Sequence, residues 1–412
     1  MTRDSRLVFY YDVVCPFAFL ASTQVQALAD RVGATIDWHP VLLGGIFREI
    51  GSDQVPARTR NAARVSVGSR DLQRQAQQCG VPLVFPPEHP RRTVEAMRLL
   101  SIAGVEVRPA ISQALFRAYW QEGVDPGDAA LLNGLADQFG MDRDCWRGDE
   151  AKDLLRARTQ QAVDAGVFGV PGFGVGEDLV WGVDRMPMVE EALGGQVEHV
   201  PWRDSVVSGP ESGQPRQRMT IFHDFASPFS YLASTQVESV ARAHDADLKW
   251  VPILLGGLFR ELGTPNVPLM AMSEAKRRYQ VTDMTAWAKW WGVPFCFPET
   301  FPLRTVSALR VALQEPATVP GLYSAAWARG LDIGDTEVLV EVLDDEGFDG
   351  HALLRGTRDP KVKQALIDNT ARAQRIGACG APTIVVNDQW LFWGQDRLGM
   401  VHQVLSGWRP TV

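Results

Sequence analysis

Apolar and polar positions follow an order along the chain that occurs twice. Each half opens with an apolar run typical of a buried strand, LVFYYD (7–12) and MTIFHDF (219–225). Helical spacing of apolar residues follows over Ser22 to Val32 and Ser234 to His244. The next segments, TIDWHPVLL and DLKWVPILL, again resemble strands. Because both strands of each unit are nearly continuous apolar runs, we expect a buried parallel pair joined by a helix.

The later part of each half predicts a long helical region followed by a hairpin. Residues 56–160 and 268–370 read as mostly helical, and the apolar segments after them read as paired short strands. These segments are GVPGFGV with LVWGVDR, and GAPTIVV with WLFWGQDR. The pattern predicts an α/β fold of two tandem thioredoxin-like domains, each with a helical insertion.

The two halves are copies of one plan. DVVCPFAFLASTQ (12–24) returns as DFASPFSYLASTQ (224–236), and PVLLGGIFREIG (40–51) returns as PILLGGLFRELG with nine identities in twelve, both at an offset of 212 residues. The offset changes in the middle and late loops of each half and is restored at Trp181 and Trp393. We therefore predict a first domain over 1–200, a linker over 201–217, rich in Pro, Gly and Ser, and a second domain over 218–412.

Composition narrows the class of protein. The 412 residues are 45% hydrophobic and 22% charged, which is typical of globular domains, and the net charge of −8 provides no basic stripe for nucleic acid. We expect no transmembrane helix, since no run of about 18 apolar residues occurs. The N-terminus enters a strand without room for a signal peptide, so a cytoplasmic location is expected.

Cysteine and histidine usage argues against disulfide and metal frameworks. The five cysteines form no C-x-x-C pair and are expected to be reduced. No histidine has a companion at metal-ligand spacing, so no metal is predicted.

The repeated turn holds the most informative chemistry. In D-x-x-[CS]-P, proline is suited to the first helical position, which places Cys15 or Ser227 where a helix starts. Free N–H groups and the helix dipole favour an anion there, so a lowered thiol pKa and a nucleophilic role are expected for Cys15. Ser227 is expected to donate its O–H to the thiolate of another molecule. The alternative for both residues is an ordinary helix cap.

Two further pairs of positions extend the expected site. Val170-Pro171 and Ala381-Pro382 precede the hairpins, and a cis proline there would leave backbone free to pair with an extended peptide. Asp184-Arg185 and Asp396-Arg397 open the last helices; they suit a zwitterionic amino acid or simple capping.

These motifs together resemble the 2-hydroxychromene-2-carboxylate isomerase family, which is similar to kappa-class glutathione transferases and to DsbA-like thioredoxin-fold proteins. The second half carries all five family motifs, and the first half carries them with departures. The matching elements are Asp224 to Ala233, Pro252 to Phe259, Lys276 to Asp283, Gly292 to Pro298 and Phe392 to Leu398.

The resemblance implies a glutathione-dependent cis–trans isomerase of an unsaturated, aromatic-derived acid, working by reversible thiolate addition. Ser227 would be catalytic, with Tyr279 as hydrogen-bond or proton donor, and glutathione or another small thiol would be the cofactor. The implied cofactor-binding residues of the second half are Asn266, Ala381, Pro382, Asp396 and Arg397. The candidate substrate-binding residues are Lys276, Arg277 and Arg278 for a carboxylate, and Phe229 and Tyr231 for an aromatic compound. The alternatives are a solvated helix face for the basic run and packing in the core for the aromatic residues.

The first half departs from the pattern where chemistry is expected. Ser227 is matched by Cys15, and the KRRY run at 276–279 is matched by RVSV at 64–67. Val170, Pro171, Asp184 and Arg185 remain as cofactor-binding candidates. A glutathione transferase or a monothiol redox protein using Cys15 is therefore an alternative, and a non-catalytic binding protein for a small molecule or peptide is another. Since relatives of this kind are often dimers, we expect the two copies to pack as an intrachain pseudo-dimer.

Overall fold

The computed structural model describes residues 6–53, 60–202 and 216–412, and the structural statements below concern these residues. The first half runs through four strands and nine α-helices in the described residues. They are β1 (Arg6–Tyr11), α1 (Pro16–Ser22), α2 (Val25–Val32), β2 (Thr35–Pro40), α3 (Leu43–Glu49), α4 (Ala62–Gln78), α5 (Val94–Ile102), α6 (Arg108–Trp120), α7 (Ala129–Gln138), α8 (Asp149–Asp164), β3 (Gly172–Val175), β4 (Asp178–Trp181) and α9 (Met186–Ala192), with short 3-10 helices at Cys145–Arg147 and Val183–Arg185.

The second half repeats this order with extra turns in its helical region. Its elements are β5 (Arg218–His223), α10 (Pro228–Ala243), β6 (Asp247–Pro252), α11 (Leu255–Glu261), α12 (Glu274–Trp290), α13 (Val306–Gln314), α14 (Val319–Tyr323), α15 (Thr336–Asp345), α16 (Gly350–Gly356), α17 (Pro360–Arg375), β7 (Thr383–Val386), β8 (Trp390–Trp393) and α18 (Leu398–Leu405). Short 3-10 helices occur at Pro268–Ala271, Pro316–Thr318 and Gln395–Arg397, and a π-helical turn at Ser324–Ala328.

Each half builds one mixed sheet, and the two sheets have the same topology. Over the described ranges the strand orders are β2-β1-β3-β4 and β6-β5-β7-β8. The first two strands of each half are parallel and the hairpin strands antiparallel, with Phe9 opposite Trp38 and Ile221 opposite Trp250. The predicted fold class is confirmed, because the helical insertions separate the second and third strand of each sheet.

The central strands are buried because helices cover both faces of each sheet. Phe9 and Phe173, on neighbouring strands of the first sheet, are fully buried and stack at 5.6 Å between ring centroids. Ile221 and Ile384 are fully buried at the corresponding place in the second half. Each half thus has its own apolar core, as the duplicated pattern predicts.

The first helix differs between the halves although its sequence is repeated. Helical spacing predicts one helix over Ser22 to Val32, but α1 ends at Ser22 and α2 starts at Val25. In the second half the same LASTQ segment lies inside the continuous helix α10. Because the local sequence is identical, packing around the segment decides where the helix is interrupted. One such contact is the Gln24 amide, which donates to Cys79 Sγ at 3.0 Å.

The predicted linker lies mostly outside the described residues. Of its two described N-terminal residues, Trp202 is buried in the core of the second half, and its indole N–H donates to Ser239 Oγ at 3.0 Å. The described start of the predicted linker therefore packs on the second half. None of the described helices is long and apolar enough to cross a membrane.

Helices α4 and α12 hold the halves together. In α4, the buried Arg74 donates to the Leu391 carbonyl of β8 at 2.6 Å, and Val67 packs on Leu391 and Cys379. In α12, Tyr279 packs on Phe168 of the first half. Each half therefore extends one long helix onto the hairpin region of the other half, which fits the expected pseudo-dimer within one chain.

Candidate active site

Ser227 lies at the start of α10, beside the peptide that precedes the hairpin. Its hydroxyl donates to the Ala381 carbonyl at 2.8 Å and accepts the backbone N–H of Ser230 at 3.2 Å. The Ala381–Pro382 peptide is cis, as is Val170–Pro171 in the first half. Sequence reasoning expected these residues in one site, and the structure brings Ser227, Ala381 and Pro382 together.

A buried aspartate anchors the turn in each half by hydrogen bonds. Asp224 accepts hydrogen bonds from the Leu255 N–H at 2.8 Å and the Thr305 hydroxyl at 2.7 Å, and Asp12 accepts the Leu43 N–H at 2.9 Å. Burial raises the pKa of both carboxyls, that of Asp12 to about 6. Both aspartates stand in the repeated D-x-x-[CS]-P element, but the motif alone does not indicate their role. They tie the active turn to the helix that begins with Leu-Gly-Gly.

Cys15 occupies the equivalent turn but is not activated. Its thiol donates to the Val170 carbonyl at 3.2 Å and makes no side-chain cap for α1. Burial raises the pKa of Cys15 to about 12, against the opposing effect of the Ala18 N–H at the helix start. The expectation of a lowered thiol pKa is therefore wrong, because desolvation of the thiolate outweighs stabilisation by the helix terminus.

The two D-R pairs meet in one buried ionic network between the halves. Arg185 contacts Asp396 at 2.8 Å, and Arg397 contacts Asp184 at 2.7 Å, so each guanidinium reaches the aspartate of the other copy. The burial of Asp184 opposes its ionisation, yet Arg185 and Arg397 outweigh burial and hold its pKa below the usual range. Burial raises the pKa of Asp396.

The helices α4 and α12 complete the network with one carboxylate each. Asp71 of α4 accepts two hydrogen bonds from Arg397, at 2.6 and 3.0 Å, and Asp283 of α12 accepts two from Arg185, at 3.2 and 2.9 Å. Four carboxylates thus surround two guanidiniums, which leaves an excess of negative charge. The only sequence signal for this crossed pairing was that Asp71 and Asp283 occupy equivalent positions.

The tryptophan of each W-G-x-D-R element lies directly against the proline turn. A Cβ at Gly380 would lie 2.7 Å from the Trp393 indole nitrogen, so only glycine permits this approach. A cation of the opposite half lies over each indole: Arg64 is 5.3 Å from the Trp393 ring centroid, and Lys276 is 5.5 Å from that of Trp181. Each turn is therefore covered by a side chain from the other copy.

Lys276 and Tyr279 lie against the first half, on the side of the Cys15 turn. The Tyr279 hydroxyl accepts a hydrogen bond from the backbone N–H of Trp181 at 2.8 Å, and the Tyr279 ring packs on Phe168 and Trp181. Burial, followed by the charges of Arg64 and Arg60, lowers the pKa of Lys276 to about 8. The structure thus places the KRRY run across the domain boundary and does not bring Tyr279 to Ser227.

The remaining candidates divide between the surface and the core. Arg278 is exposed and pairs with Glu274 of its own helix, and Arg277 is half-buried. Tyr231 is buried and donates its hydroxyl to the Pro294 carbonyl, whereas Phe229 is half-buried beside the turn. Asn266 is exposed, with Oδ1 close to Gly256 in the first turn of α11.

Comparisons with known proteins match the chain over lengths of about one half. The family model of the DsbA-like thioredoxin domain matches residues 6–194 and again 218–406. The chain is 30% identical over 190 residues to 2-hydroxychromene-2-carboxylate isomerase of Pseudomonas putida, covering 45% of this chain and 93% of that protein. It is 28% identical to glutathione S-transferase kappa 1 of Caenorhabditis elegans, covering 47% of this chain and 92% of that protein. A solved 2-hydroxychromene-2-carboxylate isomerase structure matches with 29% identity and a TM-score of 0.41, covering 46% of this chain and 94% of that one.

Proposed function

Because the chain belongs to the family of DsbA-like thioredoxin domains, present here in tandem duplication, we propose that it is a glutathione-dependent cis–trans isomerase of the 2-hydroxychromene-2-carboxylate isomerase type. Its substrate is an unsaturated acid derived from an aromatic compound. The observation that carries the proposal is the Ser227 hydroxyl, which lies at the start of a 16-residue helix and beside the Ala381–Pro382 peptide. Relatives named as this isomerase, one of them 30% identical, support the reaction class.

The residues around Ser227 suit a small peptide thiol. The Ser227 hydroxyl and the free N–H groups at the start of α10 favour a thiolate over a thiol. The excess negative charge of the buried network around Asp396 and Asp184 suits an ammonium group such as that of a γ-glutamyl residue. Asn266 offers an exposed amide for the peptide backbone of the ligand.

Bound glutathione would supply the thiolate that adds reversibly to the conjugated double bond of the substrate. The chain's own residues hold and orient the reactants. Ser227 turns its O–H from the Ala381 carbonyl toward the sulfur, which frees that backbone to pair with the ligand. Phe229, half-buried next to the turn, offers an apolar wall to the substrate. Of the basic run, Lys276, together with Arg64 of the first half, provides positive charge for a carboxylate at the domain boundary.

The first half contributes residues to the active site of the second half and does not carry a working site of its own. Its turn carries a buried thiol whose raised pKa disfavours a thiolate, and Tyr279 and Phe168 fill the space near Trp181. This geometry argues against a redox function centred on Cys15. We propose that the first half mainly contributes Arg64, Asp71, Asp184 and Arg185 to a working site in the second half.

The test is calorimetric titration of glutathione into the wild type, Ser227→Ala and Cys15→Ser, with conversion of 2-hydroxychromene-2-carboxylate followed by absorbance in the same samples. We expect Ser227→Ala alone to lose thiol-dependent conversion and to bind glutathione at least tenfold more weakly. Loss of both in Cys15→Ser alone would move the site to the first half. Absence of glutathione binding in the wild type would overturn the proposal.

Glutathione transfer is the second candidate, since the kappa-class relatives carry that name. It would use the same Ser227 turn. The two functions separate in the same assay, because a transferase consumes glutathione in proportion to product whereas an isomerase leaves its concentration unchanged.

A further inference from the structure

A cleft between the two halves carries positive charge that the proposed function does not use. It encloses about 120 Å³ between α4 of the first half and α17 and the β7–β8 hairpin of the second. Its charged lining residues are Arg70, Arg372 and Asp388, and its apolar lining includes Ile376, Val385 and Leu391. None of these residues belongs to the proposed active site.

The two arginines of the cleft lack a carboxylate partner within the described part of the chain. Arg70 makes only a long hydrogen bond to the Ser66 carbonyl of its own helix, at 3.5 Å, and Arg372 lies over the Phe222 ring at 5.3 Å. Asp388 is already paired with Arg218 at 2.7 Å. By contrast, Arg185 and Arg397, which also lie at the boundary, are surrounded by carboxylates. In a chain of net charge −8, two guanidiniums without such partners in one cleft are suited to hold an anion.

The duplication supplies an internal comparison. Position 70 corresponds to Thr282 at the offset of 212. In α17 two threonines fix the correspondence: the Thr370 hydroxyl accepts the backbone N–H of Leu254, as the Thr159 hydroxyl accepts that of Leu42. Arg372, two residues after Thr370, therefore corresponds to Gln161, two residues after Thr159. The equivalent place on the other side of the pseudo-dimer therefore has neither cation, and the charge belongs to one cleft only.

We propose that this cleft is a binding site for a small organic acid, with its carboxylate held between Arg70 and Arg372. Guanidinium groups match a carboxylate in geometry as well as in charge. The apolar part of the acid lies on Ile376, Val385 and Leu391. A cavity of roughly 150 Å³ holds benzene, so this partly open cleft of about 120 Å³ encloses most of a single ring or a short branched chain and leaves the rest of the acid at its mouth.

The test is calorimetric titration of benzoate into the full chain, with benzamide as the neutral probe of the same shape. The variants are the double variant and the two single variants Arg70→Thr and Arg372→Gln, which copy Thr282 and Gln161 at the equivalent place on the other side of the pseudo-dimer. Arg375→Gln is the matched control, since it removes the same charge from the exposed face of the same helix. We expect one benzoate site, weakened at least tenfold in each single variant, unchanged in Arg375→Gln and absent for benzamide.

Three outcomes would overturn the proposal. One is undiminished benzoate binding in the double variant when its thermal midpoint shows that it is folded. A second is equal binding of benzamide, which would show that the carboxylate is not recognised. The third is binding of inorganic phosphate with no binding of benzoate, which would make the cleft a plain oxyanion site. Glutathione binding at Ser227 is measured separately, so none of these results bears on the proposed isomerase.

Discussion

At the scale of single residues, two turns at equivalent positions of the duplication hold different atoms with different chemistry. Ser227 and Cys15 each donate to the carbonyl before the cis proline, at 2.8 and 3.2 Å. The buried Ser227 hydroxyl can still donate a hydrogen bond, whereas the buried Cys15 thiol is a poor nucleophile because burial penalises the thiolate. The Ser227 turn is therefore able to donate a hydrogen bond to a ligand thiolate, whereas the Cys15 turn carries an unreactive thiol.

The raised pKa of Cys15 predicts slow alkylation. In native protein at pH 8, iodoacetamide should label the exposed Cys296 well before Cys15, because only the thiolate reacts and Cys15 is 8% exposed with a pKa of about 12. Peptide mapping by mass spectrometry over time measures both rates, and unfolded protein, in which all five cysteines should react alike, is the control. Labelling of Cys15 as fast as Cys296 would restore the redox alternative.

At the scale of elements, the start of the first helix differs between the halves in a measurable way. The Ser227 hydroxyl accepts the Ser230 N–H and so caps α10, while Cys15 provides no cap to α1. Substituting an N-cap serine by alanine typically costs about 1 kcal/mol. A serine at position 15 would instead gain the cap that the thiol lacks.

We therefore expect opposite effects from the two exchanges. Ser227→Ala should lower the free energy of unfolding by about 1 kcal/mol, and Cys15→Ser should leave it unchanged or raise it. Urea denaturation followed by circular dichroism measures both variants against the wild type. A loss in Cys15→Ser as large as that in Ser227→Ala would mean that the thiol packs better than a cap can compensate.

Helix α12 shows where sequence reasoning reached its limit. Strands, hairpins and helical insertions were predictable because short continuous apolar runs indicate buried strands and the 3.6-residue period indicates which face of a helix is buried. The KRRY motif was also recognisable, but its orientation was not, since no local pattern tells whether Tyr279 faces Ser227 or the opposite copy. The interface between the halves decides this, and only the paired positions Asp71 and Asp283 hinted at it.

The placement of Tyr279 leads to a prediction about its role. Because its hydroxyl accepts the Trp181 N–H at 2.8 Å, Tyr279→Phe should cost about 1 kcal/mol of unfolding free energy. The kcat for isomerisation should stay within about twofold of wild type, since the ring remains between Phe168 and Trp181. Parallel denaturation and steady-state assays check both values. A drop in kcat of a hundredfold or more, with normal stability, would instead make Tyr279 a proton donor in catalysis.

At the scale of the whole molecule, the ionic network between the halves links three positions from each copy. They are Asp71, Asp184 and Arg185 of the first half and Asp283, Asp396 and Arg397 of the second. Each guanidinium is bonded to carboxylates from both halves. Because the network has more carboxylates than guanidiniums, losing a guanidinium should cost more unfolding free energy than losing a carboxylate. Removing one carboxylate relieves repulsion, whereas removing one guanidinium leaves buried carboxylates without a counter-ion.

Arg397→Met should accordingly lower the free energy of unfolding at pH 7 by about 3–5 kcal/mol, while Asp71→Asn should cost much less. The lowered pKa of Asp184 means that its stabilising contribution is complete above its unfolded pKa of about 4 and disappears as the pH falls through the folded pKa. In Arg397→Met the carboxylates lose this counter-ion and burial raises their pKa, so the penalty should shrink as the pH is lowered toward 4 because the stranded carboxylates take up protons in the folded variant. Urea denaturation of both variants and wild type at several pH values measures this. Equal losses in the two variants at pH 7, or a penalty for Arg397→Met that does not change with pH, would mean that packing rather than charge joins the halves.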